Sequence, residues 1–347
     1  MKVALVTGPC AAGECGVGDY TTCLCGALKA SGAEIQLITS GNWNVFGAIT
    51  ASRSLRKQKF DIVHIEYPTV GFGHKLGPQA LSLLQSCVIT IHEASQRHIL
   101  RKLALWPFAI RPKHIIFTSS FERRFATTWA PWIANASSVI PVGSNIAVGA
   151  RQIPRTVTGI VYFGLIVPRK ELEQVLALGE RIKSAGLPWV VRIIGRVPPK
   201  HAAYSEELRR QSKGLPIIWE HDLSEEQIAD RLAEASIAYL PYSDGASERR
   251  TTLKAALLSG LAVITTRGPH TPHDLGGVVK FSLNSEEALD AARSLVESPV
   301  EMARMATKAV QYGMRYAWER IAKLHLEIYD SVLSKRSSHG TIEAENT

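Results

Sequence analysis

Residues 158–176 read TGIVYFGLIVPRKELEQVL: a short β-branched and aromatic run, a glycine, and then a helical pattern. The run is typical of a buried strand that ends at Gly164, and the helix begins near Lys170. Strands of this kind that alternate with helices of about 10 to 15 residues indicate a parallel sheet. The stretch therefore begins a doubly wound α/β domain.

The same alternation of strand and helix occurs on both sides of this stretch. Before it, the predicted strands are KVALVT, EIQLIT, DIVHIE, CVITIH, HIIFTS and SSVIPVG. After it, they are WVVRIIG, LPIIWE, SIAYLP, LAVITT and VVKFS, followed by helical sequence over 285–333. The pattern predicts an α/β fold with two doubly wound, Rossmann-like domains that face a cleft. Ligands of such sheets bind at the carboxyl ends of the strands, so the informative residues are expected there.

Composition excludes a disordered chain and points to acidic ligands. Apolar residues make up 46% of the 347, and 40 Lys+Arg against 31 Asp+Glu give a net charge of +9. Such a surplus attracts phosphates, nucleic acid or anionic lipid, and it carries no information about the fold.

Cysteine usage and hydropathy both indicate a cytoplasmic protein. The spacing of the early cysteines matches neither a zinc site nor an iron–sulfur cluster, so reduced thiols are expected. They are Cys10, Cys15, Cys23 and Cys25. No apolar run approaches the roughly 18 residues of a spanning helix. We expect a soluble cytoplasmic chain, or one held peripherally at the cytoplasmic membrane.

Two predicted helices of the second half begin with clustered positive charge. Arg169 and Lys170 precede one of them, and SDGASERRTTLKAALLSG at 243–260 puts Arg249 and Arg250 before the other. Cations oppose the dipole of a helix N-terminus unless an anion joins them. Two such entrances predict one diphosphate held from two sides. The alternative is an ordinary N-cap with a solvated first turn.

Two motifs of the first half are weaker. Gly16 and Gly18 in CGVGDY follow the first strand and could let the backbone approach an anion, or simply form a tight turn. They do not make a dinucleotide-binding fingerprint. His92 ends the strand of ITIHEAS, where it could meet a substrate or serve the structure alone.

These motifs together resemble retaining glycosyltransferases of the GT-B fold, in the large family 4. The matching segments are GVGDYTTCL, DIVHIEYP, the strand-end His92, YFGLIVPRKELE, RIIGR and YLPYSDGASERRTTLKAALLSGLAVITT. Leu165 stands where the family usually has an arginine, and Ala246 and Lys254 stand where it has two glutamates. The chain is more similar to a branch that reads DGASxRRxTL there.

The resemblance and the motifs together predict the roles of individual residues. His92 is the catalytic candidate, at the donor sugar, with no dedicated protein nucleophile. The donor diphosphate is assigned to Gly16, Gly18, Lys170, Arg249, Arg250, Thr251 and Thr252. Gly245 and Ser247 are assigned to the donor sugar or its turn, and Arg196, Trp219, His221 and Leu223 to the nucleotide base. Glu66 and Tyr67 are expected to face the cleft on the acceptor side, and no metal or other cofactor is expected.

The domain boundaries follow from the strand pattern and the resemblance. They are an acceptor-side Rossmann-like domain at 1–145, a linker at 146–156 and a nucleotide-sugar-binding Rossmann-like domain at 157–315. A C-terminal helix at 316–333 is expected to pack back toward the first domain, before a disordered tail at 334–347.

The resemblance implies a retaining hexosyltransferase that moves a sugar from a nucleotide-diphosphate sugar to an acceptor hydroxyl, in polysaccharide or glycoconjugate assembly. Nucleic acid is not expected as a partner. Two alternatives stay open at this point. One is a non-catalytic GT-B relative that binds a sugar nucleotide as a scaffold, and the other is a sugar-nucleotide epimerase.

The segment 97–124 suggests an anionic membrane surface or a lipid-linked acceptor. It holds seven basic residues and one acid. Ile99, Leu100, Leu103 and Trp106 would share one helical face, while Arg97, Arg101 and Lys102 lie largely elsewhere. The alternative is a core-facing helix with a solvated rim.

Overall fold

The computed structural model describes residues 1–11, 15–39, 41–95, 103–146 and 156–344. The chain divides into two compact units. The first unit combines Met1–Gly143 with Trp318–Thr347, and the second is Ser144–Ala317.

The first unit contains a parallel sheet of six strands in the order β2-β1-β3-β4-β5-β6. The strands are β1 (Lys2–Val6), β2 (Glu34–Ile38), β3 (Ile62–Tyr67), β4 (Val88–Ile91), β5 (His114–Phe117) and β6 (Ser137–Val139). The described helices of this unit are Gly16–Ala30, Val45–Lys57, Gly77–Leu84, Trp106–Ile110, Ser120–Trp129 and Trp318–Ala344.

The second unit contains another parallel sheet of six strands, in the order β12-β11-β10-β7-β8-β9. The strands are β7 (Thr156–Phe163), β8 (Val190–Gly195), β9 (Ile217–His221), β10 (Ala235–Leu240), β11 (Ala262–Thr265) and β12 (Lys280–Phe281). The described helices of this unit are Leu172–Ser184, Ala202–Gln211, Glu225–Glu234, Thr251–Leu258, Ser285–Glu297 and Pro299–Gly313.

The strand sequences explain why helices cover both faces of each sheet. In β1, Ala4 and Val6 belong to one apolar cluster, while Val3 and Leu5 belong to another on the opposite face. The second cluster also includes Tyr329 of the last helix. Every residue of β10 is buried, as expected for a central parallel strand. The predicted α/β fold with two Rossmann-like domains is therefore confirmed.

The C-terminal helical region differs from the single long helix that the sequence pattern predicts over 285–333. It breaks at Pro299, which lacks a backbone N–H and begins a new helix capped by Ser298, and again at the 3-10 turn Met314–Tyr316. The last helix then runs to Ala344, past the predicted end at residue 333. The extension contains no proline that would stop it.

None of the helices in the described ranges combines the length and the apolar character that crossing a bilayer requires.

Candidate functional site

The loop after β7 places Lys170 in an unusual backbone turn. Its neighbours Arg169 and Glu171 both have left-handed backbone angles, with φ of 72° and 53°. Non-glycine residues adopt this region rarely, at a cost of about 1 to 3 kcal/mol each, and such residues concentrate at ligand sites. The helix Leu172–Ser184 begins directly after the turn. The local strain therefore agrees with a binding role for this loop.

The same loop lies against the end of β8. A Cβ atom on Gly195 would lie 2.0 Å from the carbonyl oxygen of Gly164, so only glycine permits this approach. The backbone N–H of Ile166 donates to the carbonyl of Arg196 over 3.0 Å. Arg196, which is exposed, is thereby held beside the loop that contains Lys170.

A second loop, after β10, forms the turn before the helix Thr251–Leu258. Gly245 has a φ of 84°, and a Cβ atom there would lie 2.2 Å from the backbone nitrogen of Gly268. The next residue, Ala246, donates its N–H to the carbonyl of Thr266 over 2.9 Å. Glycine is therefore required here both by the backbone angle and by the close approach of the neighbouring loop. Ser247, next in the turn, is half-buried.

The helix Thr251–Leu258 begins without a side-chain cap. Arg250 occupies the N-cap position, and its side chain makes no capping hydrogen bond. The hydroxyl of Thr252 lies 2.8 Å from the hydroxyl of Tyr242, while Thr251 is exposed. Burial raises the pKa of Tyr242, so it stays a neutral phenol. An uncapped helix start offers N–H donors and the positive end of the helix dipole to an anion.

Arg250 is held in place but is not saturated with hydrogen bonds. Its guanidinium pairs with Asp244 and lies 4.7 Å from the centre of the Tyr242 ring. Its Nε is buried and has no hydrogen-bond partner among the described residues. The preceding Arg249 is exposed. The ion pair and the ring contact therefore fix the position of the Arg250 guanidinium beside the start of the helix.

Lys170 and Arg250 approach each other from these two loops. Burial, and then the charge of Arg250, lowers the pKa of Lys170. The hydroxyl of Ser243 donates to the carbonyl of Arg169 over 3.4 Å and so joins the loops. The structure thus brings together the two loops that the sequence singles out, and two cations that raise each other's electrostatic cost favour an anion between them.

The residues assigned to the nucleotide base are only partly available for a ligand. Nδ1 of His221 lies 3.1 Å from the carbonyl oxygen of Gly195, and its buried Nε2 has no hydrogen-bond partner among the described residues. Trp219 donates its indole N–H to Ser212 over 2.9 Å, and Leu223 packs against the apolar core. Of these three, His221 is the one with a side-chain nitrogen that makes no hydrogen bond within the described part of the chain.

The glycines of the first loop lie in the first unit, whereas Lys170 and Arg250 lie in the second. Gly16 is the first residue of its helix, and a Cβ atom there would meet nothing within 4 Å. A Cβ atom on Gly18 would lie 2.2 Å from Sγ of Cys10, so contact with Cys10 accounts for this glycine.

His92 directly follows β4 and pairs with a buried carboxylate. Its Nε2 lies 2.9 Å from Oε2 of Glu66, and its ring makes an edge-to-face contact with the ring of Tyr20, with the centroids 4.8 Å apart. The Glu66 side chain is 0% exposed. This burial fits a central parallel strand that is covered on both faces, and the assignment of Glu66 to the acceptor side stays a prediction. Tyr67 is half-buried and packs its ring on Phe108.

The sequence reading missed a buried polar cluster around Glu66. Nδ1 of His64 lies 2.6 Å from the Tyr329 hydroxyl, and its Nε2 lies 2.7 Å from Oγ1 of Thr90. His64, Glu66 and His325 have ligand atoms within 4.8 Å of one another, as a metal site would need. Both nitrogens of His64 are already hydrogen-bonded to hydroxyls, so the arrangement is that of a hydrogen-bonded network.

Both histidines of this cluster are electrically neutral. Burial lowers the pKa of His64 well below its usual value, and burial lowers the pKa of His325 to about 4. The sequence held one signal of this buried cluster, which is the occurrence of a histidine and a glutamate inside the apolar strand DIVHIE.

Lys254 was identified from the sequence only as a departure from the family pattern, and it is fully inside the fold. Its side chain is buried on the helix Thr251–Leu258, with Nζ 4.9 Å from the centre of the Tyr316 ring. Burial lowers its pKa to about 7, although Glu248 acts in the opposite direction.

The segment proposed for membrane contact is described only in part. Arg97, Ile99, Leu100, Arg101 and Lys102 lie outside the described residues. Farther along, Trp106 and Trp132 are 41% and 54% exposed, and their ring centroids are 5.7 Å apart. Leu103 and Ile110 are exposed as well. We call Leu103, Trp106, Ile110 and Trp132 the tryptophan patch.

No protein-family model matches the chain, and no curated protein sequence matches it. Solved structures do. HepE of Anabaena, solved with UDP, is 13% identical with a TM-score of 0.70 over 95% of this chain and 100% of HepE. A glycosyltransferase of Rickettsia africae is 14% identical, with a TM-score of 0.71 over 96% of this chain and 98% of that enzyme. Sucrose-phosphate synthase of Thermosynechococcus elongatus is 14% identical, with a TM-score of 0.65 over 96% of this chain and 99% of the synthase.

The chain has the GT-B fold. The likeness covers nearly the full length of each of these GT-B structures, with two Rossmann-like units in each case. In this GT-B chain, Lys170 and Arg250 follow the carboxyl ends of β7 and β10, where sheets of this class bind ligands.

Proposed function

We propose that the chain is a glycosyltransferase that binds a nucleotide-diphosphate sugar and transfers the sugar to an acceptor hydroxyl. The observation that carries this proposal is that the hydrogen bond from Ser243 to the carbonyl of Arg169 joins the loop of Lys170 to the loop of Arg250, and that Arg250 stands at the uncapped start of the helix Thr251–Leu258. The GT-B fold supports it, because fold neighbours include glycosyltransferases and HepE, which was solved with UDP and with UDP-glucose.

Transfer leaves negative charge on the departing nucleoside diphosphate, and stabilising that charge is the main task of the site. Lys170, Arg250 and the first N–H groups of the helix, those of Thr251 and Thr252, would supply this stabilisation without a metal ion. The strained turn around Lys170 would hold its ammonium in place before the donor binds.

The remaining assignments complete this proposal. Arg196 and His221 would bind the nucleotide base beside the end of β8, and the turn at Gly245 and Ser247 would meet the donor sugar. His92 is the proposed catalytic residue of the first unit. The resemblance to family 4 supports retention of the anomeric configuration, a hexose donor and a role in polysaccharide or glycoconjugate assembly.

A non-catalytic binder of sugar nucleotides is the second candidate. It is favoured by Ala246 and by the buried Lys254, which replace the two glutamates of the family pattern. An epimerase is the third candidate, and the two-domain architecture is the one feature that supports it.

Nucleotide release separates these candidates. The purified chain is incubated with UDP-, GDP- and ADP-sugars, with water and with a panel of soluble hexosides as acceptors, and free nucleoside diphosphate is measured. A glycosyltransferase releases the diphosphate with an acceptor-dependent rate, and NMR of the product gives the anomeric configuration. Binding without release would support the non-catalytic candidate. Appearance of an epimeric sugar nucleotide without release would support the third.

Peripheral attachment to an anionic membrane, with a lipid-linked acceptor, is part of the same proposal. It is supported by the tryptophan patch, by the basic residues of 97–124 and by the net charge of +9. Tryptophan rings favour the boundary between lipid and water, and basic residues add attraction to anionic headgroups.

A further inference from the structure

Glu66 is a carboxylate in a place where carboxylates are costly. Its side chain is completely buried near the end of β3. Removing an ionised carboxylate from water is costly unless donors compensate for the lost hydration. The structure supplies one such donor, because His92 Nε2 lies 2.9 Å from Oε2. The other oxygen, Oε1, is buried without a hydrogen-bond partner among the described residues, and His64 Nε2 lies 3.5 Å from it. Burial raises the pKa of Glu66, and the contact with His92 acts in the opposite direction.

The contacts of His64 fit a carboxylate that accepts hydrogen bonds. His64 Nε2 lies 2.7 Å from the Thr90 hydroxyl and 3.5 Å from Glu66 Oε1, so a proton on Nε2 faces both oxygens. Nδ1 of the neutral His64 ring is then an acceptor, and the Tyr329 hydroxyl donates to it over 2.6 Å. An ionised carboxylate only accepts, so the group that Glu66 faces in His92 is N–H.

His92 is also held by its ring and by its backbone. Its ring makes an edge-to-face contact with the ring of Tyr20. Its backbone N–H donates to the carbonyl of Tyr67 over 2.9 Å, and its carbonyl accepts from the Thr118 hydroxyl over 3.2 Å. The His92 side chain is only 8% exposed. A neutral imidazole that donates from Nε2 carries its lone pair on Nδ1.

We propose that Glu66 is a positioning residue for His92: it accepts the Nε2 proton and so holds the imidazole in the form whose Nδ1 accepts a hydrogen bond from a hydroxyl. His92 is then an acceptor toward a sugar or acceptor hydroxyl, and not a donor. A carboxylate that orients an imidazole in this way fixes both its tautomer and its angle. Only the use of His92 in transfer rests on the proposed function; the tautomer does not.

The tautomer is measured directly on the whole chain. Protein labelled with 15N-histidine is recorded in two-bond proton–nitrogen spectra, and a His92→Gln variant assigns the His92 signals. We expect the proton on Nε2, in slow exchange with water and shifted downfield by the carboxylate. A proton on Nδ1, or an Nε2 proton without these signs of a strong acceptor, would overturn the proposal.

The Glu66→Gln variant tests the cause. A neutral amide is a weaker acceptor, so the Nε2 proton of His92 should move upfield and exchange faster. Glu122→Gln is the matched control, because Glu122 is equally buried in the same unit but accepts from Ala94 and Ser95. The His92 signal should stay in place there. An unchanged His92 signal in Glu66→Gln overturns the proposal. If that variant does not fold, the tautomer seen in the wild-type spectrum alone supports or overturns the proposal.

Turnover supplies a second readout. Glu66→Gln should lower kcat at least about tenfold, within the usual range for a positioned histidine, and leave the KM for the donor within about twofold. The KM for the donor is expected to stay unchanged because Lys170 and Arg250 are intact. A purely structural role would lower the folded fraction and leave kcat per folded molecule unchanged, which contradicts the proposal. Absence of turnover in the wild type, with the expected tautomer, would reject the proposed function alone.

Discussion

Lys170 and Arg250 interact as like charges across two loops, and the pKa of Lys170 is lowered by burial and then by the Arg250 guanidinium. Placing two cations together is unfavourable when nothing lies between them. The same arrangement becomes favourable when a diphosphate joins them, because each ammonium or guanidinium then donates charge-assisted hydrogen bonds. The site is therefore arranged to bind an anion. Within the described residues, the Asp244 carboxylate neutralises part of this positive charge through its ion pair with Arg250.

Asp244 competes with the diphosphate for Arg250. The two side chains form an ion pair, and Asp244 is largely exposed. Asp244→Asn should tighten the binding of UDP or GDP up to about fivefold, since exposed pairs contribute roughly 0.2 to 1 kcal/mol. Titration calorimetry measures the affinity. Asp290→Asn, an exposed acid of the same unit, controls for net charge. Weaker binding in Asp244→Asn would show that the carboxylate supports the ligand and does not compete with it.

Sugar transfer should not require a divalent metal. The positive charge that stabilises the leaving diphosphate would come from Lys170, Arg250 and the helix start. We expect transfer to persist in excess EDTA at more than about half of its untreated rate, measured as release of nucleoside diphosphate. Loss of activity on chelation, with recovery in Mg²⁺ or Mn²⁺, would contradict this expectation.

Lys254 should make the stability of the chain depend on pH. Its pKa in the folded chain is about 7, well below the usual value of 10.5. Between these two values the unfolded state holds a proton that the folded state lacks, so stability rises with pH across this window. Below pH 7 the full cost of burying the charge remains.

Lys254→Met removes that cost. The variant should be more stable than the wild type at pH 7, and its advantage should shrink by roughly 1 to 2 kcal/mol between pH 7 and pH 9. Denaturant unfolding at each pH measures this, with the exposed Lys183→Met as the control. An advantage that does not change with pH would show that Lys254 does not titrate in the folded chain.

The chain should bind vesicles that contain anionic lipid. Each basic residue near the lipid surface contributes about 1 kcal/mol to binding. Salt at 1 M, where the Debye length is roughly 3 Å, should remove this electrostatic contribution. Co-sedimentation should weaken when Arg97, Arg101 and Lys102 are changed to glutamate, and when Trp106 is changed to alanine. Leu283→Ala, an exposed apolar residue of the other unit, should bind as the wild type does. Wild type that stays in the supernatant at low salt would exclude membrane attachment.

Much of the fold could be predicted because its signals are local. Buried parallel strands are continuous apolar runs, and all twelve were visible as Val- and Ile-rich segments. Helix ends were harder to place. The helical spacing of apolar residues continues through Ser298, although one helix ends there and the next begins at Pro299. The two cationic helix entrances were visible too, since each conflicts with the dipole of its own helix.

The network around Glu66 could not be predicted in the same way. His64 and Tyr329 are 265 positions apart in the chain, and no periodicity joins them. Glu66 follows a strand pattern that fits an exposed strand end, and its burial is set by neighbouring strands and by the last helix. The sequence therefore indicates which residues are chemically unusual, and the tertiary structure decides which of them meet.

A double-mutant cycle on Lys170 and Arg250 shows whether the two side chains hold one diphosphate. The affinities of UDP and GDP are measured by calorimetry for the wild type, Lys170→Ala, Arg250→Ala and the double variant, with Lys183→Ala as the control for net charge. Each single change should weaken the binding of the better ligand by at least about 1 kcal/mol. The two changes should also depart from additivity by about 0.5 kcal/mol or more, because both side chains hold one diphosphate. Affinities that match the Lys183→Ala control, or a wild type that binds neither nucleotide, would contradict a shared diphosphate site.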